Sequence, residues 1–429
     1  ILHKPKNMRF YLREGFVTVA LSWILMSVIG CLPFVINGDI PHFADALFEM
    51  ISGFTTTGAT VVSDVEGLTK GSLFWRSFSH WIGGMGVLVF LLAIVPMAGG
   101  SHMNLMKAES PGPSVGKLVP KVRQTAKYLY IIYFTLTMIE VIFLLFGGMN
   151  LFEALTTAFG TAGTGGFAIW NDGFVSVSPY NQWVVTIFML LFGVNFGFYF
   201  LILTGKLRDA LKFEEVRIYF IIVIASAVFI FINLWHFALY APAEGIRHAF
   251  FQVASIITTT GFASANFDLW PETSRTILVI LMFIGACAGS TGGGIKVSRF
   301  IIAFKSFIKE IISYLHPRSV KKIKVEGKPL EHETLRATNV YFMTYMVIFA
   351  VSVLLVSIEN KDLVTNFTAV AATFNNIGPG LSLVGPMANF GHFTDFTKYI
   401  LMFDMLAGRL EIFPMLLLFC PAVWKRRRA

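Results

Sequence analysis

Four copies of one glycine-centred loop constrain this chain more than any other feature. Thr55-Thr56-Thr57-Gly58-Ala59 and Thr258-Thr259-Thr260-Gly261-Phe262 are near duplicates, Gly163-Thr164-Gly165-Gly166-Phe167 is a third copy, and Asn375-Asn376-Ile377-Gly378-Pro379 is a weaker fourth. With Gly58, Gly166, Gly261 and Gly378 set level, the residue two before is Thr56, Thr164, Thr259 or Asn376, always polar and small or amide-bearing. Eleven before stand Leu47, Leu155, Phe250 and Phe367. The glycines are 108, 95 and 117 residues apart, a long-period internal repeat. The chain reads as one hairpin-like unit used four times.

Between these loops the chain is too apolar for water. Of 429 residues, 55% are hydrophobic and 14% charged, with a mean hydropathy of +0.69; a soluble domain carries about 25% charge. Eight stretches are predicted to cross about 30 Å of hydrocarbon as helices of about 20 residues. They lie near 14–36, 72–97, 127–147, 181–205, 216–240, 274–311, 338–358 and 397–420, one on each side of every glycine loop. The numbering opens at Ile1, with His3, Lys4, Lys6, Arg9 and Arg13 leading into a span too long for a signal peptide, so an upstream segment is expected.

Each loop follows an apolar run too short to cross a bilayer: Phe43 to Phe54, Leu151 to Ala162, Gly245 to Ile257 and Leu363 to Phe374. Runs of that length suit re-entrant or buried helices, and Asp39-Ile40-Pro41, Asn150 and Asp362 resemble N-caps. Irregular backbone at membrane depth is tolerated only where it is buried in protein or lines a water-filled path. The predicted fold is an all-α polytopic membrane protein of four repeats around a pseudo-fourfold pore, each repeat a helix, a re-entrant pore helix with its filter loop, and a second helix. The divisions are repeat 1 at 1–98, a cytoplasmic linker at 99–121, repeat 2 at 122–214, repeat 3 at 215–312, a second linker at 313–333 and repeat 4 at 334–429.

Charge orients the repeats. Of 34 Lys and Arg, 26 lie on the side away from the glycine loops: up to Arg13, Lys107 to Lys127, Lys206 to Arg217, Arg299 to Arg336, and Lys425 to Arg428. The positive-inside rule makes that side cytoplasmic, so the loops open outward. The outer face carries Asp39, Asp64, Glu66, Asp172, Asp268, Glu272, Glu359 and Asp395, a bias that raises the local cation concentration. The net charge of +9 therefore reflects topology and gives no support to a nucleic-acid partner.

A single Thr-Thr-Thr-Gly would read as a turn between helices; four in equivalent settings read as a filter. Loop carbonyls aimed at an axis can replace the hydration shell of a monovalent cation, and glycine permits the backbone twist. Helix C-termini pointing at the same axis add partial negative charge. The expected cation-binding positions are Thr56, Thr57, Gly58, Thr164, Gly165, Gly166, Thr259, Thr260, Gly261, Asn376, Ile377 and Gly378, with Thr and Asn side chains as buttresses. No cofactor is expected in this chain; the ion is its substrate.

The expected span 274–311 is interrupted by Gly285-Ala286-Cys287-Ala288-Gly289-Ser290-Thr291-Gly292-Gly293-Gly294-Ile295-Lys296. Each glycine costs a helix roughly 1 kcal/mol relative to Ala, so a break is predicted, and Gly289, Ser290, Thr291, Gly292, Gly293, Gly294 and Lys296 are candidate gate residues; a plain helix kink is the alternative. A P-loop does not match, because Ile295 and Val297 flank Lys296 where Gly and Ser or Thr belong. Arg409, mid-span in repeat 4, is expected to be a positive barrier under the filter or a tie to the glycine-rich loop, with an ion pair to Glu411 or Asp404 as the structural alternative. Lys296 is expected to snorkel to the cytoplasmic side. Ser290 with Lys296 is the faint pair an intramembrane enzyme would need, but six positions do not share a helix face.

Remaining polar residues draw weaker expectations. Glu49, Glu140 and Glu153 lie near apolar runs, and Asp45 shares with Glu153 a position suited to helix N-terminal charge pairing. His80, His236 and His248 form no metal set; Trp75, Trp81, Trp183, Trp235 and Trp270 are expected at the membrane interface. Cys31, Cys287 and Cys420 fit neither a disulfide framework nor a zinc spacing.

TTTGAT at 55–60, TGGF at 164–167, TTTGFAS at 258–264, NNIGPG at 375–380, CAGSTGGGIK at 287–296 and GRLEIFP at 408–414 together resemble the TrkH/KtrB superfamily of potassium transporters, nearer the TrkH type, over almost the whole chain. The resemblance implies inward potassium conduction, and rubidium with it, through a filter at Gly58, Gly166, Gly261 and Gly378. It further implies an intramembrane gate loop at 286–295, Arg409 as the barrier, a homodimer in a bacterial inner membrane surrounded by lipid, and a cytoplasmic ring of nucleotide-binding RCK subunits of the TrkA kind. A sodium- or proton-coupled cotransporter is the alternative within the same class. TrkH-type members carry two further N-terminal helices, and none is visible before Arg9.

Overall fold

The computed structural model describes residues 12–86, 122–316 and 323–424. The expected linker 99–121, the end of the expected span 72–97 and most of the terminal basic clusters lie outside the described residues. The first repeat runs α1 (Leu12–Asn37), the short α2 (Phe43–Phe54) and α3 (Lys70–Met85). The second runs α4 (Val122–Phe146), the short α5 (Leu151–Gly163), α6 (Pro179–Phe192) and α7 (Phe196–Leu203). In the third, α8 (Glu214–His236) and the short α9 (Pro242–Ile257) precede α10 (Glu272–Ile284) and α11 (Val297–Leu315), which flank the glycine-rich loop. A two-stranded ribbon, β1 (Lys324–Val325) against β2 (Lys328–Pro329), turns on Glu326 and Gly327, both at positive φ as a tight hairpin requires. The fourth repeat runs α12 (His332–Val356), the short α13 (Leu363–Phe374), α14 (Asp395–Arg409) and α15 (Phe413–Leu418).

The first helix of every repeat is continuous and long and apolar enough to span a bilayer. Each shows large apolar side chains outward, such as Ile36 in α1, Phe146 in α4, Ile221 in α8 and Leu354 in α12, and hides its polar ones inward: Ser27, Thr137, Glu140 and Ser352 are buried. That inverted distribution is what a helix between lipid and a polar-lined bundle needs.

The second helices of repeats 2, 3 and 4 are broken, and here two expectations fail. The apolar stretch 181–205 is not one span: α6 and α7 meet at 88° across Gly193-Val194-Asn195. Gly193 lies so close to Tyr219 that a methyl group built on it would stand 2.6 Å from the phenol oxygen, and Asn195 caps α7 by accepting the Gly197 N–H at 2.7 Å. The stretch 397–420 also breaks, at Glu411 and Ile412, both at positive φ (60° and 68°), before Pro414 restarts the chain as α15. A hydropathy average registers neither a cap nor a left-handed residue. The interruption in repeat 3 falls at 285–296, where glycine density predicts it.

The four short helices begin with differing caps. In α5, Asn150 and Glu153 form a reciprocal capping box, and in α13 the Asp362 carboxylate accepts from the Thr365 N–H and hydroxyl. Asp39, expected as a cap, instead receives the hydroxyls of Thr69 and Ser72 at the start of α3. Asp45 pairs with Lys398 of α14, and His42 lies between Asp45 and Asp395. Of the tryptophans expected at the interface, Trp235 is exposed, whereas Trp270 is buried and Trp75 and Trp81 donate their indole N–H groups to Gly30 and Thr137 inside the bundle.

Thr365 hydrogen bonds hold the Asp362 carboxyl below the usual aspartate range. Its capping contribution is therefore complete above the unfolded-state value and lost as pH falls through the lower folded-state value. Asp362→Ala is expected to cost about 1 kcal/mol at neutral pH, read as a lower thermal midpoint of the detergent-purified protein, with the gap to wild type closing on acidification. A gap that widens in acid would contradict this.

Candidate cation pathway

The ends of α2, α5, α9 and α13 are buried and carry small residues at the closest approaches, including Gly53, Gly163, Ser255 and Ala372. A methyl group on Gly53 would meet the Ser79 hydroxyl at 2.2 Å and one on Gly163 the His80 carbonyl oxygen at 2.3 Å, so the helices approach as closely as backbone allows. Each then unwinds identically. Thr56, Thr164, Thr259 and Asn376 all adopt the left-handed conformation, at φ of 54°, 54°, 59° and 56°, and Gly58, Gly166, Gly261 and Gly378 follow at 80°, 79°, 84° and 99°.

These glycines close a ring. A methyl group on Gly58 would lie 2.0 Å from the Gly165 carbonyl oxygen, one on Gly166 1.9 Å from that of Thr260, one on Gly261 1.9 Å from that of Ile377, and one on Gly378 2.8 Å from that of Thr57. Each glycine thus holds the space occupied by the next repeat's carbonyl, in the order one, two, three, four and back to one. The four glycines line a single open cavity, together with Thr60, Phe167, Phe262 and Pro379. The segments that follow the four glycines join in the same order: Val65 N–H donates to Asn171, Phe174 N–H to the Ala263 carbonyl, Ser382 N–H to Asp268, and Phe390 N–H to the Thr60 carbonyl. Several acids counted as outer-face charge are thereby engaged in loop seams, among them Asp64 with Asn171 and Asp268 with the Ser382 N–H.

Behind this common backbone the supports differ. Thr55 bonds Thr57 and Thr258 bonds Thr260, each at 2.8 Å, while the Asn376 amide reaches the Thr57 hydroxyl at 3.0 Å and the Met405 carbonyl at 2.9 Å. Loop 1 leans on a buried ion pair, Glu49–Arg76 at 2.7 Å, whose carboxylate also receives the Thr60 hydroxyl and the Val61 N–H; the guanidinium lies 4.1 Å from the ring centre of Phe167 in loop 2. His80 supports loop 2. Its Nδ1 is 2.7 Å from the Gly53 carbonyl, which can only accept, and its Nε2 is 3.2 Å from the Phe167 N–H, which can only donate, so the ring is the neutral Nδ1–H tautomer. In loop 3 Ser264 meets His248 and Gln252, and in loop 4 the Leu381 N–H donates to Thr368.

The glycine-rich loop 285–296 packs against the ring away from the open cavity. Gly293 N–H donates to the Thr259 hydroxyl, Gly294 N–H donates to the Asn375 carbonyl at 3.0 Å, and Gly292 packs against the Thr258 carbonyl. Ser290, Thr291, Gly292 and Gly293 are buried and Gly289 and Gly294 partly so. The loop is also knitted to the break in repeat 2, Phe196 N–H donating to the Gly289 carbonyl and Cys287 N–H to that of Gly193. Arg409 donates to the Thr291 carbonyl at 2.8 Å and to the carbonyls of Gly83 and Gly84, linking repeats 4, 3 and 1. Its expected alternative partners are engaged elsewhere: Glu411 with Arg299, whose guanidinium lies 3.8 Å over the Tyr341 ring, and Asp404 with the Ser352 hydroxyl. Lys296 does not snorkel. It is buried at positive φ, its ammonium donating back to the Gly292 carbonyl, because the loop doubles back against the glycine ring and carries the side chain into the bundle.

A family model for TrkH, described as a cation transport protein, matches residues 1–426. The chain belongs to the TrkH family. It is 38% identical to the Trk system potassium uptake protein TrkH of Escherichia coli K12 over 96% of this chain and 86% of that one, and 33% identical to TrkG of the same organism over 98% and 87%. The crystal structure of the potassium transporter TrkH from Vibrio parahaemolyticus superposes with a TM-score of 0.85 at 35% identity, covering 96% of this chain and 86% of that one. It is accordingly a multi-pass membrane protein of the bacterial Trk family, and Trk system membership implies association with other Trk components.

Glu49, Arg76, His80, Asn195 and Arg299 stand in this TrkH-family framework without having been singled out from sequence for these roles. Signals existed for two of them: a charge inside a short apolar run at Glu49, and a capping residue inside a span at Asn195. Arg76→Met would strand the buried Glu49 carboxylate and is expected to cost about 3–5 kcal/mol, with the Glu49→Gln, Arg76→Met double variant recovering most of it. Thermal unfolding in detergent measures both; a double variant at least as unstable as Arg76→Met contradicts the pairing.

Proposed function

We propose that this chain is the pore-forming subunit of a potassium uptake system, conducting potassium and rubidium inward through the four-loop ring. The observation that supports this reading is the cyclic contact of each glycine with the next repeat's carbonyl, and in this reading the Thr57, Gly165, Thr260 and Ile377 oxygens surround one path. Those oxygens, with neighbouring carbonyls of residues 56–58, 164–166, 259–261 and 376–378, substitute for the ion's water. The C-terminal ends of α2, α5, α9 and α13 add partial negative charge there. An inside-negative potential supplies about 2.3 kcal/mol per charge per 100 mV, so uptake needs no covalent step.

TrkH-family proteins are not enzymes, and the side chains of the faint enzymatic pair are occupied separately here, Ser290 on the Cys287 carbonyl and Lys296 on that of Gly292. The same reading takes 1–98, 122–214, 215–312 and 334–429 as the repeats, the filter side as external and the basic side as cytoplasmic in a bacterial inner membrane. It takes loop 285–296 with Arg409 as the gate, a homodimer as the assembly, and a ring of nucleotide-binding RCK subunits of the TrkA kind as the partner on the basic segments 206–217 and 312–336. No cofactor is assigned to the chain.

A side chain at Gly261 requires φ of 84° and collides with the Ile377 carbonyl. In proteoliposomes, Gly261→Ser is expected to lower the preference for rubidium over sodium by at least about tenfold, a loss of about 1.4 kcal/mol. Selectivity equal to wild type would overturn the filter assignment.

A further inference from the structure

One carboxylate reaches both flanks of the gate loop. Helix α8 opens with Glu214 and Glu215, and Phe213 before it supplies no side-chain cap. Glu215 is buried, 6% exposed, and a single oxygen, Oε1, accepts the Ala288 N–H at 2.7 Å and the Ser298 N–H at 3.0 Å. Ala288 lies in the loop, whereas Ser298 lies in the first turn of α11, where helix geometry leaves N–H groups without partners of their own. Hydrogen bonds to an ionised acceptor are roughly twice as strong as neutral ones, and this one acceptor joins two segments that the loop separates.

The adjacent residue faces the cytoplasmic ribbon. The Glu214 carboxylate pairs with Lys305 of α11 at 2.6 Å, and the same ammonium donates to the Lys324 carbonyl of β1 at 2.8 Å. The Glu326 N–H in the ribbon's turn points back at Glu214 at 3.4 Å. Two consecutive glutamates on one helical turn therefore hold the gate loop on one side and the ribbon on the other.

We propose that Glu215 is a clasp that keeps loop 285–296 folded under the filter, and that Glu214 with Lys305 ties the clasp to the ribbon 323–330, through which a cytoplasmic protein partner releases it. The inference rests on the gate reading above and assigns a positioning role to residues outside the ion path. A partner that draws the ribbon away from Lys305 shifts the start of α8, and the Ala288 and Ser298 amides lose their shared acceptor. The loop then loses a tie that joins its two flanks through one side chain.

Cys287, fully buried beside Ala288, reports on the clasp directly. In a Cys31→Ala, Cys420→Ala background of the full chain, maleimide labelling of Cys287 is expected to rise at least about tenfold in Glu215→Ala, equivalent to about 1.4 kcal/mol of loop opening. Glu215→Gln, which keeps an acceptor without the charge, is expected to fall between the two. Glu214→Lys is expected to raise labelling, and Glu214→Lys with Lys305→Glu to restore it. Rubidium flux in proteoliposomes should rise in parallel with the preference over sodium unchanged, since the ring is untouched. Labelling indistinguishable from the background protein in Glu215→Ala overturns the clasp. Raised labelling with lost selectivity or a collapsed melting transition also overturns it, by making Glu215 a general support of the fold. Failure of charge reversal to restore labelling overturns the ribbon linkage. Labelling needs no transport, so these results stand apart from failure of the pore reading, which the Gly261→Ser flux ratio reports.

Discussion

Everything in the pathway depends on four glycines leaving room for four carbonyls. A β-carbon at any one of them would stand 2.8 Å or less from the next repeat's oxygen, and would also have to adopt a left-handed backbone. Because the contacts run in a closed cycle, displacing one loop pushes on its neighbour and then on the next. Main-chain atoms form the ring, which explains how Thr57, Gly165, Thr260 and Ile377 can occupy the same place with different side chains.

The surrounding protein meets one backbone requirement with four chemistries. Repeat 1 uses an ion pair, repeat 2 a neutral imidazole borrowed from repeat 1, repeat 3 a His–Ser–Gln cluster, and repeat 4 a threonine hydroxyl. Buried charge is costly unless paired and hydrogen-bonded, and the Glu49 carboxylate receives hydroxyl and amide donors besides Arg76. The second helices diverge likewise. The breaks in repeats 2, 3 and 4 converge below the ring, where Asn195, loop 285–296 and Arg409 meet; a continuous helix in any of them would leave those backbone groups paired within the helix and unavailable to the others.

The repeat, the short helices and the glycine-rich break were legible in the sequence because each rests on local rules. An abortive apolar run bounded by a cap and a glycine reads as a short helix, and the expected limits at Phe43 to Phe54 and Leu363 to Phe374 coincide with α2 and α13. The breaks at 193–195 and 410–412 were not, since single polar residues among Phe192, Val194 and Phe196 or beside Ile412 and Phe413 barely alter an apolar average. Asn195 and Pro414 were the available signals. Arg409 was legible as an unusual cation, but its partners are main-chain carbonyls of Gly83, Gly84 and Thr291, which carry no side-chain signature. The inward turn of Lys296 and the two-sided grip of Glu215 depend on how the loop folds back, a tertiary property that spacing along the chain does not encode.

The most direct measurement is anomalous diffraction at the rubidium edge from crystals of the full chain grown in rubidium. A peak on the axis bounded by the carbonyls of Thr57, Gly165, Thr260 and Ile377, persisting when sodium is added in about tenfold excess, is the predicted result; a tenfold competition corresponds to about 1.4 kcal/mol of preference. Rubidium found only among the outer-loop carboxylates, or an axial peak abolished by sodium, would contradict a selective carbonyl ring.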